Sequence, residues 1–393
     1  VGSVSFQQNT TGQLNTAIGY AALNANTTGS NNSAVGNSAL AANTSAGDNT
    51  GLGFKALAVN TTGTDNTAAG AFALQRNTTG IDNTALGYDC LGNNTTANNN
   101  VGIGHNTLQA NTTGANNTAC GRRGLTNNTT ASNNTVVGVD AGFSNTTGSG
   151  LTAVGLDAGF ANTTGIDNVA MGRSTLDACT TGNDNTCIGA NAGGAITTGS
   201  TNTCIGSTAG DAIQTGSSNI IIGVSSDCPH DGANCIALGV NVINTTNDQF
   251  SFGKASNVVS NIFTANATFS RSSDLHKKTN IEDTDLGLSF INELRPVTFN
   301  WKPNSEFPTH YEDYSETENH MDTETNLYGM IAQDVEKALD KVGHKNFGGW
   351  SEEKDGSQRL AQSMFIYPLI NAVKELSTQV DELKAEIKTL KGE

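Results

Sequence analysis

Ser273 and Lys278 place a hydroxyl and an amine five residues apart, close enough to meet across a turn. A serine cuts a peptide bond when a base takes its proton and donors hold the oxyanion. A lysine becomes that base when burial disfavours its charged form. A Ser-x4-Lys spacing alone carries little information, but this one falls where two chemically different stretches of chain meet. Hydrolysis directed at the chain itself would separate them.

The two stretches differ in every charged and conformationally restricted residue type. Residues 1–272 hold seven Lys/Arg and thirteen acids, all aspartate, with Pro229 as the single proline and no tryptophan. Residues 273–393 hold thirteen Lys/Arg, twenty-three acids, four prolines, and both Trp301 and Trp350. These are two domains with different physics. The net charge of −16 argues against a nucleic-acid partner or a phospholipid-headgroup surface, which need clustered Lys/Arg. No window approaches the ~20 apolar residues of a membrane span, so no membrane insertion is expected. The chain starts at Val1 without a methionine or signal-like segment, which reads as a processed form or a fragment.

The first stretch is a repeat. Asn recurs every 17 residues from Asn9 through Asn26 and Asn43 to Asn162, and Gly does so from Gly19 through Gly36 to Gly223. The unit reads Asn-Thr-Thr-Gly-x-x-Asn-Thr-Ala-φ-Gly-x-x-Ala-Leu-x-x, φ being apolar. A fixed period held without insertion is the signature of a solenoid. The residue before each Gly is apolar (Ile18, Val35, Leu52, Leu86, Ile103) and the one before that is small (Ala17, Ala34, Gly51, Ala85, Gly102). In a strand these two positions point to opposite faces, and with neither face polar both should be covered. One solenoid covers only its inner face, so the outer face should meet another chain around a shared axis. Leucines four after the Gly, such as Leu23, Leu40 and Leu57, are expected to build a second core wall from a short helical turn. Asn-Thr-Thr-Gly turns the chain, and its stacked Asn and Thr side chains bond between rungs.

Other chemistry in the repeat has a plain structural reading. All seven cysteines lie before the seam. Cys187 and Cys204 share a repeat phase and should stack as small core fillers, while Cys228 and Cys235 flank a short loop and are able to bridge or to stay free. Asn-x-Ser/Thr sequons recur with the unit and are read as turn and ladder chemistry. The phased Asp48, Asp65, Asp82, Asp167 and Asp184 suggest Asx-type turns more than a calcium ladder. His105 and His230 are expected at the surface. No CxxC pair and no glutamate occur in the repeats, so neither a resident metal, a cofactor nor a carbohydrate-cleaving carboxylate pair is expected.

The phase is lost after Gly223. Residues 244–272 alternate around Phe250, Phe252, Val258, Ile262 and Phe269, which predicts short connecting strands. Beyond the seam, the acidic, aromatic segment from Glu306 to Glu324, with His310 and His320, reads as a solvated loop. The chain ends in a heptad helix whose seam is Ile366, Leu369, Val373, Leu376, Val380, Leu383, Ile387 and Leu390.

The stretch from the seam to the C-terminus resembles the endosialidase-type intramolecular chaperone found at the C-terminus of phage tail spikes and fibres. The resemblance rests on Ser273-Asp274-x-x-x-Lys278-x-Asn280-Ile281, on Gly287-Leu288-Ser289-Phe290-Ile291-Asn292-Glu293-Leu294-Arg295-Pro296-Val297-Thr298-Phe299-Asn300-Trp301, on Tyr328-Gly329-Met330-Ile331-Ala332-Gln333-Asp334-Val335-Glu336, and on Tyr367-Pro368-Leu369-Ile370-Asn371-Ala372-Val373-Lys374-Glu375-Leu376. It implies a domain that drives trimerisation and folding of the preceding fibre and then severs the bond before the motif serine. Carried over, the scissile bond is Ser272–Ser273, Ser273 is the nucleophile, Lys278 the base, and Asp274 an orienting group. Lys277 departs from the apolar residue usual at its place, and Ser272 makes the cut ambiguous by one residue. β-Branched residues at one seam position with leucine at the other favour two strands, whereas the resemblance implies three. The short helix should follow its domain.

The expected architecture is therefore a β-solenoid shaft at 1–243, a β connector at 244–272, and a mixed α/β chaperone and autoprotease domain at 273–393 with a coiled coil at 366–391. The expected function is a homotrimeric virion tail fibre or spike for host attachment, with a host surface glycan or protein as receptor. Its one reaction would be a single self-cleavage by a Ser–Lys dyad. The alternative is a bacterial surface adhesin with a solenoid head and a retained, uncut trimerisation domain.

Overall fold

The computed structural model describes residues 2–255, 257–262, 275–311, 313–319, 321 and 323–392. Phe269, Ser272, Ser273, Asp274 and His320 lie outside the described residues. The chain divides into two compact units, Val1–Ser272 and Ser273–Glu393.

The first unit is a β-solenoid. Its described strands form one 16-stranded sheet in strict chain order. Three-residue strands run from Thr16–Ile18 to Ile220–Ile222, each parallel to the next and in register with the repeat (Thr16↔Ser33, Ala17↔Ala34, Ile18↔Val35). One repeat is thus one turn of the coil. The sheet continues into the stretch read as connector. Ile236–Val240 and Gln249–Lys254 add two more parallel strands at shorter steps, because parallel pairing needs only backbone register, not the repeat sequence. Asn257–Ile262 then pairs antiparallel and ends the stack.

The inner face carries the small residue of each strand, fully buried at Ala34, Ala68, Val136, Cys187 and Cys204. Leu23, Leu40, Leu57 and their equivalents form the second wall, also fully buried. They do not come from a helical turn. Leu23 has φ 48° and Leu40 φ 51°, and the residues two before them, Ala21 and Ser38, are also left-handed. Alternating left-handed residues bend the chain tightly, aiming a side chain inward at each corner. At the leucine itself the left-handed backbone costs about 1–2 kcal/mol, comparable to the about 1.5–3 kcal/mol gained by burying its side chain fully.

Stacked side chains join the rungs. Asn26 Nδ2 donates to Asn9 Oδ1 at 3.0 Å, Asn43 to Asn26 at 2.9 Å, and the line continues to Asn162 on Asn145 at 2.8 Å. These sequon asparagines are fully buried from Asn26 onward to Asn145, so the ladder, not a glycan, occupies their amides. A second line binds backbone as well as side chain: Asn66 donates both its backbone N–H and its Nδ2 to Asn49 Oδ1, at 3.0 and 3.2 Å, and Asn83 does the same to Asn66 Oδ1, at 3.1 Å each. The phased aspartates sit in left-handed turns, with φ 60° at Asp48 and Asp65 and 57° at Asp82. The glycine that closes each strand is obligatory, since Gly36 has φ 140° and a Cβ there would collide with the Gly53 carbonyl of the next rung.

The second unit has helices α1 (Leu288–Ile291), α2 (Ala332–Lys341) and α3 (Ile366–Lys391). Two antiparallel strand pairs accompany them, Val297–Phe299 with Leu327–Gly329 and Trp350–Glu352 with Gln358–Leu360. Its core gathers Leu286, Phe290, Val335, Ala338, Leu339 and Phe365. The rings of Phe290, Phe347 and Phe365 pack mutually at 5.1–6.3 Å.

Candidate functional site

Of the predicted cleavage residues, the described structure contains Lys278. It comes directly after a 3-10 turn at Leu275–Lys277 and donates its backbone N–H to Leu275 O at 3.1 Å. Its side chain is exposed. Ser272, Ser273 and Asp274 lie outside the described residues, so the dyad geometry stays a sequence expectation. The desolvation that a lysine base needs is not supplied to Lys278 within one described chain.

The segment after Lys278 is fastened to the terminal helix. Glu375 Oε2 accepts the Leu288 N–H at 2.9 Å and so caps α1, while Asn371 Nδ2 donates to Thr284 O at 2.8 Å and Leu286 O at 3.3 Å. A Cβ at Gly287 would press on the Glu375 carboxylate that caps α1. Further out, Arg295 grips Asp334 Oδ2 through Nε and Nη2, at 3.1 and 2.6 Å. The Arg295 hydrogen bond holds the Asp334 carboxyl below the usual carboxylate range. Lys341 pairs with Glu293 at 2.6 Å, tying α2 to the end of α1.

Two apolar surfaces stand open on the single chain. On α3, Pro368 and Ala372 are buried against the domain, but the whole heptad seam from Ile366 to Leu390 is solvent-exposed, Val373 by 58% and Leu383 by 57%. On the solenoid, the residue preceding each glycine faces outward, as at Ile18, Leu52, Val137 and Met171. The sequence pattern anticipated both faces.

The remaining candidates resolve as structural. Cys187 and Cys204 are register partners on adjacent strands and buried. All seven cysteines are free, Cys228 and Cys235 among them, and Cys235 Sγ donates to Thr246 O at 3.3 Å. His105 is exposed and stacks on Tyr88 at 5.1 Å, and His230 is exposed beside Asp231 at 3.7 Å. No metal-binding cluster of His, Cys, Asp or Glu occurs among the described residues. No helix among them is long and apolar enough to cross a membrane. One feature escaped the sequence reading: buried Asp227 occupies the core-leucine position and accepts the N–H groups of Ala212 and Cys228, both at 2.8 Å. Burial, with Asp211 alongside, pushes its carboxyl up to about 7. Only its repeat phase could have shown it.

A family model described as the chaperone of endosialidase matches residues 273–344. No curated protein and no solved structure matches the chain. The match contains the seam motif and the blocks Gly287–Trp301 and Tyr328–Glu336. The seam between the compact units and the start of the family match both fall at residue 273, and the C-terminal unit is therefore similar to an endosialidase-type chaperone domain.

Proposed function

We propose that the chain is a homotrimeric fibre of tail-fibre or tail-spike type, whose C-terminal domain drives trimerisation and folding and is then released by self-cleavage at Ser272–Ser273. The observation that carries this is the pairing, in one chain, of a domain similar to an endosialidase chaperone with two long apolar surfaces that no part of the described chain covers. Attachment to a host surface glycan or protein on a virion is the corresponding role. The domain boundaries at 243 and 272 belong to the same proposal.

In the cleavage step, Lys278 takes the Ser273 hydroxyl proton while Oγ attacks the Ser272 carbonyl carbon. Collapse breaks the Ser272–Ser273 C–N bond, and the freed amine takes the proton back from Lys278. Water then hydrolyses the ester between the Ser272 acyl group and Ser273 Oγ. Asp274 orients the pair. Because Lys278 is exposed in the single chain, the burial that activates it comes with assembly, which makes cleavage follow trimerisation. Removing the domain that nucleates folding leaves a shaft whose loss is governed by an unfolding rate.

Intact mass under denaturing conditions tests this on the wild type, Ser273→Ala and Lys278→Ala. Two wild-type fragments meeting at 272/273, with one full-length species in both variants, are expected. A single full-length wild-type species would remove the cleavage and leave the adhesin reading, with a retained trimerisation domain.

A further inference from the structure

We infer that Asn371 and Glu375 are positioning residues for the proposed self-cleavage, clamping residues 284–288 at the base of the arm that carries Lys278. This rests on that cleavage and adds the side chains through which α3 acts on it.

The clamp closes on consecutive residues. Asn371 Nδ2 gives its two hydrogens to main-chain oxygens, Thr284 O at 2.8 Å and Leu286 O at 3.3 Å. Glu375 Oε2 then accepts the Leu288 N–H at 2.9 Å. From the other side, His344 Nε2 lies 2.9 Å from Asp285 Oδ2. His344 is itself tied to α2, donating its N–H to Leu339 O at 2.9 Å. Burial of Leu286 and Phe290 secures the same stretch to the core, but apolar burial is non-directional. The bonds from Asn371 and Glu375 hold backbone, so they decide which way the arm leaves.

Lys278 lies six residues before Thr284, a length that spans at most about 20 Å. Residues 279–284 lie in neither helix nor strand, and both Lys278 and Ile281 are exposed. The direction set at the base therefore limits where the Lys278 amine travels. An intramolecular step speeds up as its reacting groups are confined near one another.

The same two turns of α3 carry the clamp and the seam. Asn371 and Glu375 are half-buried and four residues apart, which puts them on one helix face. Between and beside them the seam residues Leu369, Val373 and Leu376 are exposed. A helix of this kind is ordered by packing. Covering the seam stiffens the turns that grip the arm, and so links assembly to cleavage through these hydrogen bonds.

Cell-free synthesis of the full-length chain, sampled over time, gives the cleavage rate by intact mass and the assembled mass by light scattering. Asn371→Asp keeps the shape and removes the donor. It should slow cleavage by about tenfold or more at an unchanged assembled mass. Glu375→Ala should do the same, whereas Glu375→Gln keeps an acceptor oxygen and should recover most of the wild-type rate. Wild-type rates in Asn371→Asp and Glu375→Ala overturn the clamp and leave the cleavage standing. Slow cleavage together with lost assembly makes the two residues structural and overturns the clamp as well. A wild type that stays uncut removes the cleavage, and the clamp with it.

Discussion

Asn77, Asn94 and Asn111 each donate from Nδ2 to the preceding ladder asparagine and to a carbonyl of their own turn. Removing the Asn94 amide leaves the Asn77 Oδ1 and one Asn111 hydrogen without their partner. A buried group so orphaned costs about 1–3 kcal/mol, so Asn94→Val should lower the urea midpoint of the shaft. Asn162 ends the line: Cys179 stands at the next rung, and the Asn162 Oδ1 has no partner among the described residues. Asn162→Val should therefore cost less than Asn94→Val, and equal losses would mean that the ladder is not what joins the rungs. Asp227 makes a pH-dependent contribution. Its folded carboxyl titrates near 7 because burial raises it, whereas an unfolded aspartate titrates near ~3.9. Folding thus favours the protonated form, and the contribution is full below the unfolded value and is lost as pH rises through about 7. The wild-type melting temperature should fall between pH 5 and pH 8 more than that of Asp227→Asn.

At the scale of elements, the solenoid conserves core volume rather than sequence. The wall leucine is replaced by Gly142, Gly159, Gly193 and Gly210, which keep the left-handed turn with φ between 59° and 66°. The space is filled from another corner of the coil. Leu151 replaces a ladder asparagine and lies against the Gly142 and Gly159 positions, Ile196 fills beside Gly193, and Ile213 beside Gly210. Leu151 also keeps its backbone N–H on Asn134 Oδ1 at 2.8 Å, so the exchange leaves that hydrogen bond intact. Restoring the repeat by Leu151→Asn should destabilise the shaft by about 2–5 kcal/mol, the range for deleting a buried leucine. Chemical denaturation checks this, and a neutral result would mean that the glycine rungs need no filling.

For the whole molecule, the surfaces that one chain leaves uncovered decide its state. Beyond its first turns α3 carries apolar seam residues with no described neighbour to bury them, and an isolated helix of this kind gains most of its stability from packing. Leu383→Asp places a charge in that seam and should shift the oligomer toward monomer by light scattering at micromolar concentration. An unchanged mass would place the assembly elsewhere. Because the contact is apolar, moderate salt should leave the oligomer intact, whereas it would screen one held by surface ion pairs.

Periodicity alone made legible the solenoid, its turn length, the small and apolar faces of each strand, the asparagine ladder and the terminal seam. All of these repeat, every 17 residues in the coil and every seven in the terminal helix, and a fixed period dictates which side chains share a face. The abrupt change of composition likewise marked the seam at residue 273. Other features emerge only once the chain is folded. The leucine wall comes from left-handed corners because an inward side chain matters more than local helical preference. The sheet outlasts the repeat because backbone pairing tolerates shorter turns. Leu151, Ile196 and Ile213 trade places with the glycines because packing responds to volume across the coil, and no local pattern records which corner fills a gap. The grip of Asp227 on the Ala212 N–H and the capping of α1 by Glu375 join residues whose proximity only the folded chain creates.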